Sequence, residues 1–272
     1  MEKVSVVIPT MPGREAMLAR LISTIPPECE IIVVDDEHLL LAGKRNKGAS
    51  KATREILFFI DDDNYLEKGA IFAASHLVGA AGVVGLTACY DDNKRKVADG
   101  GSKRNYLTGF TTGLNTNKSL DEIEDVIYEV DEVANAFMIS KKLFEEVGGF
   151  DEENFPIDLD EADICKRIKN MGYKIYMDSF AVVYHKSQTY SHIPNFRRPM
   201  NAYFMGRNRQ LYQRKHLNAL SYWVYLVVFL PVFVCFYTVS LLYRKNPKMI
   251  LPFLKGVFDG LLNRRENQYQ KR

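Results

Sequence analysis

The stretch Leu57-Phe58-Phe59-Ile60-Asp61-Asp62-Asp63-Asn64 joins a short apolar run directly to three adjacent carboxylates. Such a run, rich in β-forming residues, is typical of a buried strand in a parallel sheet that is covered on both faces. In open α/β sheets ligands bind at the carboxyl ends of the strands, where these aspartates fall. A hard divalent cation such as Mg²⁺ takes one or two carboxylates together with ligand phosphates. The stretch therefore predicts a metal and phosphate site, and the alternative is a solvated acidic turn.

A second apolar run, Ile31-Ile32-Val33-Val34, also ends in carboxylates, Asp35 and Asp36. Two strands of one sheet that bring aspartates to the same edge are harder to explain as solvated turns than either strand alone. We therefore expect the two strands to be neighbours, with their acidic ends close together around a bound metal and phosphate.

Apolar runs alternate with segments of helical spacing over the first 90 residues, which predicts a doubly wound α/β fold. The predicted strands there are 4–8, 31–34, 57–60 and 83–88, and the predicted helices are 14–25 and 68–77. The polar residues 91–119 indicate a loop or hairpin region. Farther along, we predict an acidic helix over 121–128, a strand over 132–140, helices over 141–147 and 160–171, and strands over 173–177 and 181–185.

Three cations, Lys44, Arg45 and Lys47, lie among small residues in the segment 42–52. A cation-rich loop that leads into a helix N-terminus favours phosphate binding. The alternative for each cation is a solvated helix face.

Composition excludes some classes of function. The chain has 272 residues, with 36 basic and 34 acidic side chains and a net charge of +2, so nothing global indicates a nucleic-acid partner. The four cysteines are far apart and form no C-x-x-C pair, which argues against a zinc site or a disulfide framework and fits a reducing compartment. The first residues run into a strand without the pattern of a signal peptide.

Residues 220–243 form an uncharged stretch that predicts a membrane segment, because about 20 apolar residues of helix cross the hydrocarbon core. Tyr222, Trp223 and Tyr243 resemble interfacial aromatic anchors. The alternative is a buried core helix. Pro231 would kink one span or allow a re-entrant hairpin, and residues 250–262 fit an interfacial amphipathic helix. We therefore divide the chain into a catalytic domain (1–196), a basic juxtamembrane segment (197–219), the membrane segment (220–243) and a basic amphipathic tail (244–272).

Taken together, the motifs resemble the inverting glycosyltransferases of family 2, which have a GT-A fold. The resemblance covers about two thirds of the chain, and each motif is weak alone, but they occur in the family's order. These motifs are Pro9-Thr10, Val34-Asp35-Asp36, Lys44-Arg45-Asn46, Asp61-Asp62-Asp63, Val147-Gly148-Gly149-Phe150-Asp151, Asp160-Glu161-Ala162-Asp163, Gly172-Tyr173 and Val183-Tyr184-His185. The resemblance implies a Rossmann-like, mostly parallel sheet flanked by helices, followed here by the C-terminal membrane helix.

The resemblance also implies a nucleotide-sugar donor. Thr10 and Asp36 correspond to contacts with the nucleotide base and ribose, and Arg45 would lie over the nucleotide. Asp61 and Asp63 correspond to the D-x-D pair, which holds a divalent cation, Mg²⁺ or Mn²⁺, on the donor diphosphate. That cation would neutralise charge on the leaving group.

The roles of two further sets of candidate site residues have alternative interpretations. His185 is either an additional metal or phosphate contact or a structural residue at a strand end. The family's general base lies in a Glu-Asp pair, which corresponds here to Asp160-Glu161 in reversed order. By alignment the second member is the base, so Glu161 is favoured, and Asp160 is the alternative. A carboxylate in this position takes the proton of the acceptor hydroxyl as it attacks.

The membrane segment suggests the acceptor. Anchoring a transferase makes sense when its acceptor is a lipid-linked sugar or another glycolipid, with membrane lipids as partners and the catalytic domain on the cytoplasmic face of the cell membrane. The basic and aromatic lead-in would bind lipid phosphates; it comprises Arg197, Arg198, Tyr203, Phe204, Arg207, Arg209, Arg214 and Lys215. No Q-x-x-R-W motif of processive synthases occurs, so we expect transfer of one sugar per encounter. The alternatives are a nucleotidyltransferase, although residues 11–14 make a poor phosphate loop, and an inactive membrane subunit of a glycan assembly pathway.

Overall fold

A mixed nine-stranded sheet organises the N-terminal part of the computed structural model, which describes residues 3–124, 126–185 and 198–264. The strands are β1 (Val4–Pro9), β2 (Glu30–Val34), β3 (Ile56–Ile60), β4 (Asn64–Leu66), β5 (Val83–Tyr90), β6 (Val97–Asp99), β7 (Ser102–Arg104), β8 (Thr111–Gly113), β9 (Ile127–Val130), β10 (Ala136–Ser140) and β11 (Ile175–His185). The helices are α1 (Glu15–Ile22), α2 (Leu41–Lys51), α3 (Ala70–Ser75), α4 (Lys141–Glu146), α5 (Asp160–Asn170), α6 (Pro199–His216), α7 (Ala219–Val224), α8 (Leu230–Tyr243) and α9 (Ile250–Leu261).

The chain divides into two compact units. The first comprises Met1–Lys103, Thr112–Asp151 and Glu161–Tyr190, and contains the large sheet. The second comprises Arg104–Thr111, Glu152–Asp160 and Ser191–Arg272, and contains the C-terminal helices. This division differs from a simple boundary at residue 196, because two loops from the middle of the sequence belong to the helical unit.

The strand order is β2-β1-β3-β10-β5-β11-β4, with β6 beside β5 and β9 beside β11. Strands β2, β1 and β3 are parallel, as are β5 and β11, whereas β10 runs antiparallel between β3 and β5. The predicted α/β sheet flanked by helices is confirmed. The sheet is mixed because β10 starts beside the end of β3, where Ala136 pairs with Ile60, and returns in the opposite direction.

Strand β3 shows why the apolar run of the opening stretch is continuous. Phe58 and Ile60 pack into the hydrophobic cluster on one side of the sheet, and Leu57 and Phe59 pack into the cluster on the other. A strand that is buried on both faces needs apolar residues at every position rather than at alternate ones. The predicted strands over 4–8, 31–34, 57–60 and 83–88 are all present.

The expectation that the two strands with acidic ends are neighbours is wrong, because β1 lies between β2 and β3. Adjacent strands are about 4.8 Å apart, so the ends of β2 and β3 are separated by about 10 Å. Thr10, at the end of β1, lies in the gap between Asp36 and the aspartates that follow β3. The carboxyl edge therefore has room for an extended ligand.

Three predicted elements differ from the structure. The described residues within 121–128 do not form an α-helix: a 3₁₀ turn (Leu120–Glu122) precedes β9, which pairs with β11. The predicted strands 173–177 and 181–185 are one strand, β11, interrupted by an irregularity between Asp178 and Val182. The Asp178 carboxylate stabilises this irregularity by accepting the backbone N–H of Phe180 at 2.8 Å.

The apolar stretch forms a continuous helical element in the second unit. Helix α7, a π-helical turn (Tyr225–Phe229) and α8 follow one another without a reversal, so the re-entrant hairpin is not observed. The widened turn comes directly before Pro231, whose ring would clash with the carbonyl one regular turn earlier. Among the described residues this is one element, Ala219–Tyr243, long and apolar enough to cross a membrane, and 22% of its most apolar 18-residue window is buried.

Two of the five described cations in the lead-in to this element, Arg207 and Arg209, are buried, which corrects their expected role toward lipid phosphates. Arg207 is fully buried and donates to the carbonyl of Asn154 at 2.8 Å. Arg209 is nearly buried and donates to the carbonyl of Thr108 at 3.1 Å. These guanidiniums bind backbone within the unit and do not face a bilayer. The exposed cations of the lead-in are Arg198, Arg214 and Lys215, while Arg197, Arg265, Lys271 and Arg272 lie outside the described residues.

Helices α6 and α9 contact each other backbone to backbone. A Cβ atom added at Gly206 would overlap the carbonyl oxygen of Phe253, and one added at Gly256 would overlap that of Tyr203. Gly260 faces the backbone of Arg207 in the same way. Glycines at such contacts let two helices approach more closely than any side chain allows.

We expect Gly256→Ala to lower the free energy of unfolding of the helical unit by about 3 kcal/mol, because an extra methyl group at a backbone contact forces the helices apart. Thermal unfolding of the purified protein measures this loss. Gly79→Ala is the matched control, since nothing lies within 4 Å of a Cβ atom at Gly79. An unchanged midpoint for Gly256→Ala would contradict the close contact.

Candidate functional site

The triple aspartate forms the turn between β3 and β4 at the carboxyl edge of the sheet. The backbone N–H of Asn64 donates to the carbonyl of Asp61 at 3.1 Å and closes the turn. The backbone N–H of Asp61 donates to the carbonyl of Asn135, the residue before β10, also at 3.1 Å. The turn is therefore held on two sides, and its three carboxylates point to different partners.

Arg45 is the centre of the site. Its side chain is fully buried, and its guanidinium donates to Glu161 Oε1 at 2.7 Å and to Asp61 Oδ1 at 2.9 Å. The rings of Phe150 and Phe137 lie 5.6 and 5.9 Å from its Cζ atom. One cation from α2 thus joins the end of β3 to the start of α5, and the aromatic rings fix its position.

Burial and charge shift the pKa values of the first and third aspartates in opposite directions. Burial raises the pKa of Asp61 to about 6, although the Arg45 guanidinium opposes this shift. Burial is the largest influence on Asp63 and acts to raise its pKa, but the combined effects of His185 and Arg14 outweigh it and the pKa is lowered. His185 Nε2 lies 3.6 Å from Asp63 Oδ1, and this carboxylate raises the pKa of the imidazole despite its burial.

The middle aspartate has structural partners that the sequence did not reveal. Asp62 is 1% exposed; it accepts a hydrogen bond of 2.6 Å from Thr10 Oγ1 and forms an ion pair with Arg14. Arg14 also reaches Asp63 at 3.5 Å. Burial raises the pKa of Asp62. Sequence reasoning dismissed the segment of Arg14 as a poor phosphate loop, and only its position directly after β1 could have drawn attention to it.

The predicted cationic loop is instead the body of helix α2, which corrects that expectation. Gly48 packs against Val7 so closely that a Cβ atom would overlap it, which seats the helix on the sheet. Lys44 Nζ then donates to the carbonyl of Thr10 at 2.5 Å, and Lys47 Nζ pairs with Asp36 Oδ2 at 2.6 Å. The Lys47 pair lowers the pKa of Asp36.

The acidic start of α5 presents one accessible carboxylate. Asp160 and Asp163 are both 0% exposed, whereas the Glu161 side chain is 16% exposed. Asp163 pairs with Arg167 Nε at 2.8 Å, and Arg167 also donates to the carbonyl of Gly149. Asp163 therefore anchors the loop before α5, and Glu161 faces Arg45.

The donor atoms fit a divalent cation that is only partly coordinated by protein. Among the described residues no three acidic, histidine or cysteine side chains form a preformed metal cage. Asp63 and His185 lie side by side, and Asp61 follows β3 two residues before Asp63. Two carboxylates with phosphate oxygens from a ligand are a common shell for Mg²⁺. Of the eight site residues predicted from the sequence, Arg45, Asp61 and Glu161 form one contact group and Asp63 and His185 another.

Comparison with known proteins places this site in a wider context. A protein-family model described as glycosyltransferase like family 2 matches residues 15–215. No match is found among curated protein sequences.

Several solved structures share the fold. S. aureus TarS 1-349 in complex with UDP-GlcNAc has a TM-score of 0.56 and 15% identity, with 95% of this chain and 80% of that chain covered. The mannosyltransferase PcManGT from Pyrobaculum calidifontis, in complex with GDP-Man and Mn²⁺, has a TM-score of 0.54 and 12% identity, with coverage of 96% and 88%. GalNAc-T7 with UDP, GalNAc and Mn²⁺ has a TM-score of 0.55 and 14% identity. The match covers 81% of this chain and about half (52%) of the GalNAc-T7 chain.

Proposed function

Because the chain belongs to glycosyltransferase-like family 2, we propose that it transfers a single sugar from a nucleotide sugar to a lipid-linked or glycolipid acceptor. The observation that carries the proposal is the contact group of Arg45, Asp61 and Glu161 at the carboxyl edge of the sheet. It puts one exposed carboxylate beside the turn whose aspartates suit a metal-bound diphosphate.

The residues that we propose to bind the nucleotide-sugar donor lie at the ends of the strands. Asp61, Asp63 and His185 would hold Mg²⁺ or Mn²⁺, and the cation when bound supplies positive charge to the departing nucleoside diphosphate. Asp36, kept ionised by Lys47, would accept the ribose hydroxyls, and Thr10 at the end of β1 would border the base. Two of the structural neighbours, GalNAc-T7 and PcManGT, were crystallised with Mn²⁺ and a nucleotide ligand, which supports this assignment.

Glu161 is the proposed general base. In an inverting transfer the acceptor oxygen bonds to the anomeric carbon as the bond to the diphosphate oxygen breaks, and the base takes the hydroxyl proton. Its side chain is partly exposed, so an acceptor hydroxyl reaches it, whereas the buried Asp160 has no such access. Arg45 donates to Glu161 Oε1 at 2.7 Å and fixes the direction of the carboxylate.

The apolar helices of the second unit support the proposal of a membrane-bound acceptor. The element Ala219–Tyr243 exposes many apolar side chains; α9 exposes Leu251, Leu254 and Phe258, and Leu262 directly after it is also exposed. A bilayer would cover such surfaces. We therefore propose that the enzyme is anchored in the cell membrane, with its catalytic unit on the cytoplasmic face and its acceptor in the same membrane.

The full chain in lipid vesicles tests the proposal against its rivals. We expect the protein to float with the vesicles. With extracted membrane lipids and Mn²⁺ or Mg²⁺ present, it should release a nucleoside diphosphate from one sugar nucleotide. Mass spectrometry should then detect a new glycolipid. EDTA is expected to stop the release. In a parallel reaction with a nucleoside triphosphate and a sugar 1-phosphate, formation of a sugar nucleotide with release of inorganic pyrophosphate would indicate a nucleotidyltransferase instead. No product from any donor and lipid, with a folded chain, would indicate an inactive subunit.

A further inference from the structure

Asp99 is a carboxylate that the proposed mechanism does not use, and it lies at the end of the short strand β6. The backbone N–H of Gly101 donates to Asp99 Oδ1 at 2.8 Å. Gly101 has φ of +74°, and a Cβ atom there would overlap Met177 and Val130. The loop after Asp99 is therefore packed tightly, so the direction of the carboxylate is fixed.

Asn135 connects Asp99 to the aspartate turn. Its side-chain amide donates to Asp99 Oδ2 at 3.3 Å, and its backbone carbonyl accepts the N–H of Asp61 at 3.1 Å. Asn135 has φ of +62°, a conformation that asparagine adopts more readily than most residues. A single residue thus holds Asp99 next to the donor side of the site.

Through Asn135, Asp99 lies beside the aspartate turn that carries the donor-side residues. Burial raises the pKa of Asp99, and the nearby negative charge of Glu161 adds to this shift while His185 opposes it. Residue Asp99 is nevertheless partly exposed, so a ligand beside the aspartate turn can contact it.

We propose that Asp99 binds a hydroxyl group of the sugar being transferred and thereby selects the donor. Each carboxylate oxygen has more than one acceptor position, so the hydrogen bonds from Gly101 and Asn135 leave capacity for a further donor. The donor phosphates are anionic acceptors, which Asp99 repels, whereas sugar hydroxyls donate. This inference rests on the proposed function, since it needs a nucleotide sugar in the site.

The test compares sugar nucleotides with the bare nucleotide in the full chain. The sugar-nucleotide probes are UDP-GlcNAc, UDP-glucose and GDP-mannose, and UDP and GDP are the matching nucleotides without a sugar. Monodeoxy analogues of the accepted sugar nucleotide complete the set. In Asp99→Asn we expect the KM for the accepted sugar nucleotide to rise by at least about 10-fold, as for loss of a hydrogen bond to a charged group. Inhibition by the bare nucleotide is expected to change less than about 2-fold, because it lacks the sugar.

The deoxy analogues give a second readout. One of them is expected to be at least about 10-fold poorer than the parent donor for the wild type, yet equal to the parent for Asp99→Asn. Asn135→Gly keeps the left-handed backbone but removes the amide that orients Asp99, and is expected to show a weaker form of the same pattern. Asp121→Asn, an exposed carboxylate paired with Arg95, is the matched control.

Two outcomes overturn the inference while the proposed function stands: equal weakening of sugar nucleotide and bare nucleotide, or a change confined to the KM for the lipid acceptor. A wild type that turns over no sugar nucleotide overturns both.

Discussion

Replacing Arg45 by methionine is expected to lower sugar transfer by at least about 10³-fold and to destabilise the first unit by about 3–5 kcal/mol. The guanidinium is fully buried, and it is 2.7 Å from Glu161 and 2.9 Å from Asp61. Without it two carboxylates face each other in a desolvated site, where burial already raises the pKa of Asp61 to about 6. At least one of them would take up a proton, and a protonated Glu161 no longer accepts one from the acceptor.

The substitution Arg45→Lys separates charge from geometry. Lysine keeps the positive charge but has no planar fork to bind two carboxylates at once. We expect it to recover most of the stability while activity stays about 10²-fold below wild type, because the carboxylates lose their fixed positions. Arg95→Met is the control, since Arg95 forms an exposed pair with Asp121, and pairs of this kind contribute little. Arg45→Met with a tenth or more of wild-type turnover would refute the central role of Arg45.

The second large effect is expected for Glu161→Gln, which removes the proposed base with almost no change in shape. Turnover should fall by about 10³-fold, within the range for loss of a general base. Inhibition by the nucleoside diphosphate of the accepted donor and the thermal midpoint should remain near wild type, because Glu161 is partly exposed and its amide replacement can still accept from Arg45.

Its two acidic neighbours provide matched comparisons. Asp163→Asn breaks the buried pair with Arg167, so we expect a lower midpoint but turnover within about 5-fold per folded molecule. Asp160→Asn tests the alternative base at a fully buried position. Loss of turnover in Asp160→Asn together with normal turnover in Glu161→Gln would assign the base to Asp160. Equal turnover in all three variants would refute both assignments.

Sequence patterns predicted those parts of the fold in which local and tertiary preferences agree. Strands β1 and β3 are apolar at nearly every position because the sheet is covered on both sides of them, and this pattern can be recognised in a single sequence. The predicted helix over 121–128 failed because the partner of β9 is β11, about fifty residues away. The order β2-β1-β3 could likewise not be predicted from the sequence, because strand adjacency depends on the crossover connections rather than on the composition of each strand.

The structure adds contacts between the candidate site residues that the sequence could not predict. The motifs identified Arg45, Asp61 and Glu161, but not that one guanidinium binds the other two. The pair of Arg14 with Asp62 links positions 48 apart and leaves no local pattern. Arg207 and Arg209 were assigned to lipid headgroups because a sequence shows charge but not burial, and their actual partners are backbone carbonyls of distant loops.

The glycine contacts between α6 and α9 have a consequence for engineering the C-terminal part of the chain. The surface that α6 offers there is shaped by backbone atoms and accepts only a helix with glycines at matching positions. A transplanted anchor from an unrelated protein, however hydrophobic, would meet this surface with side chains that do not fit. Swapping the tail would therefore destabilise the helical unit, even where the new segment is equally hydrophobic.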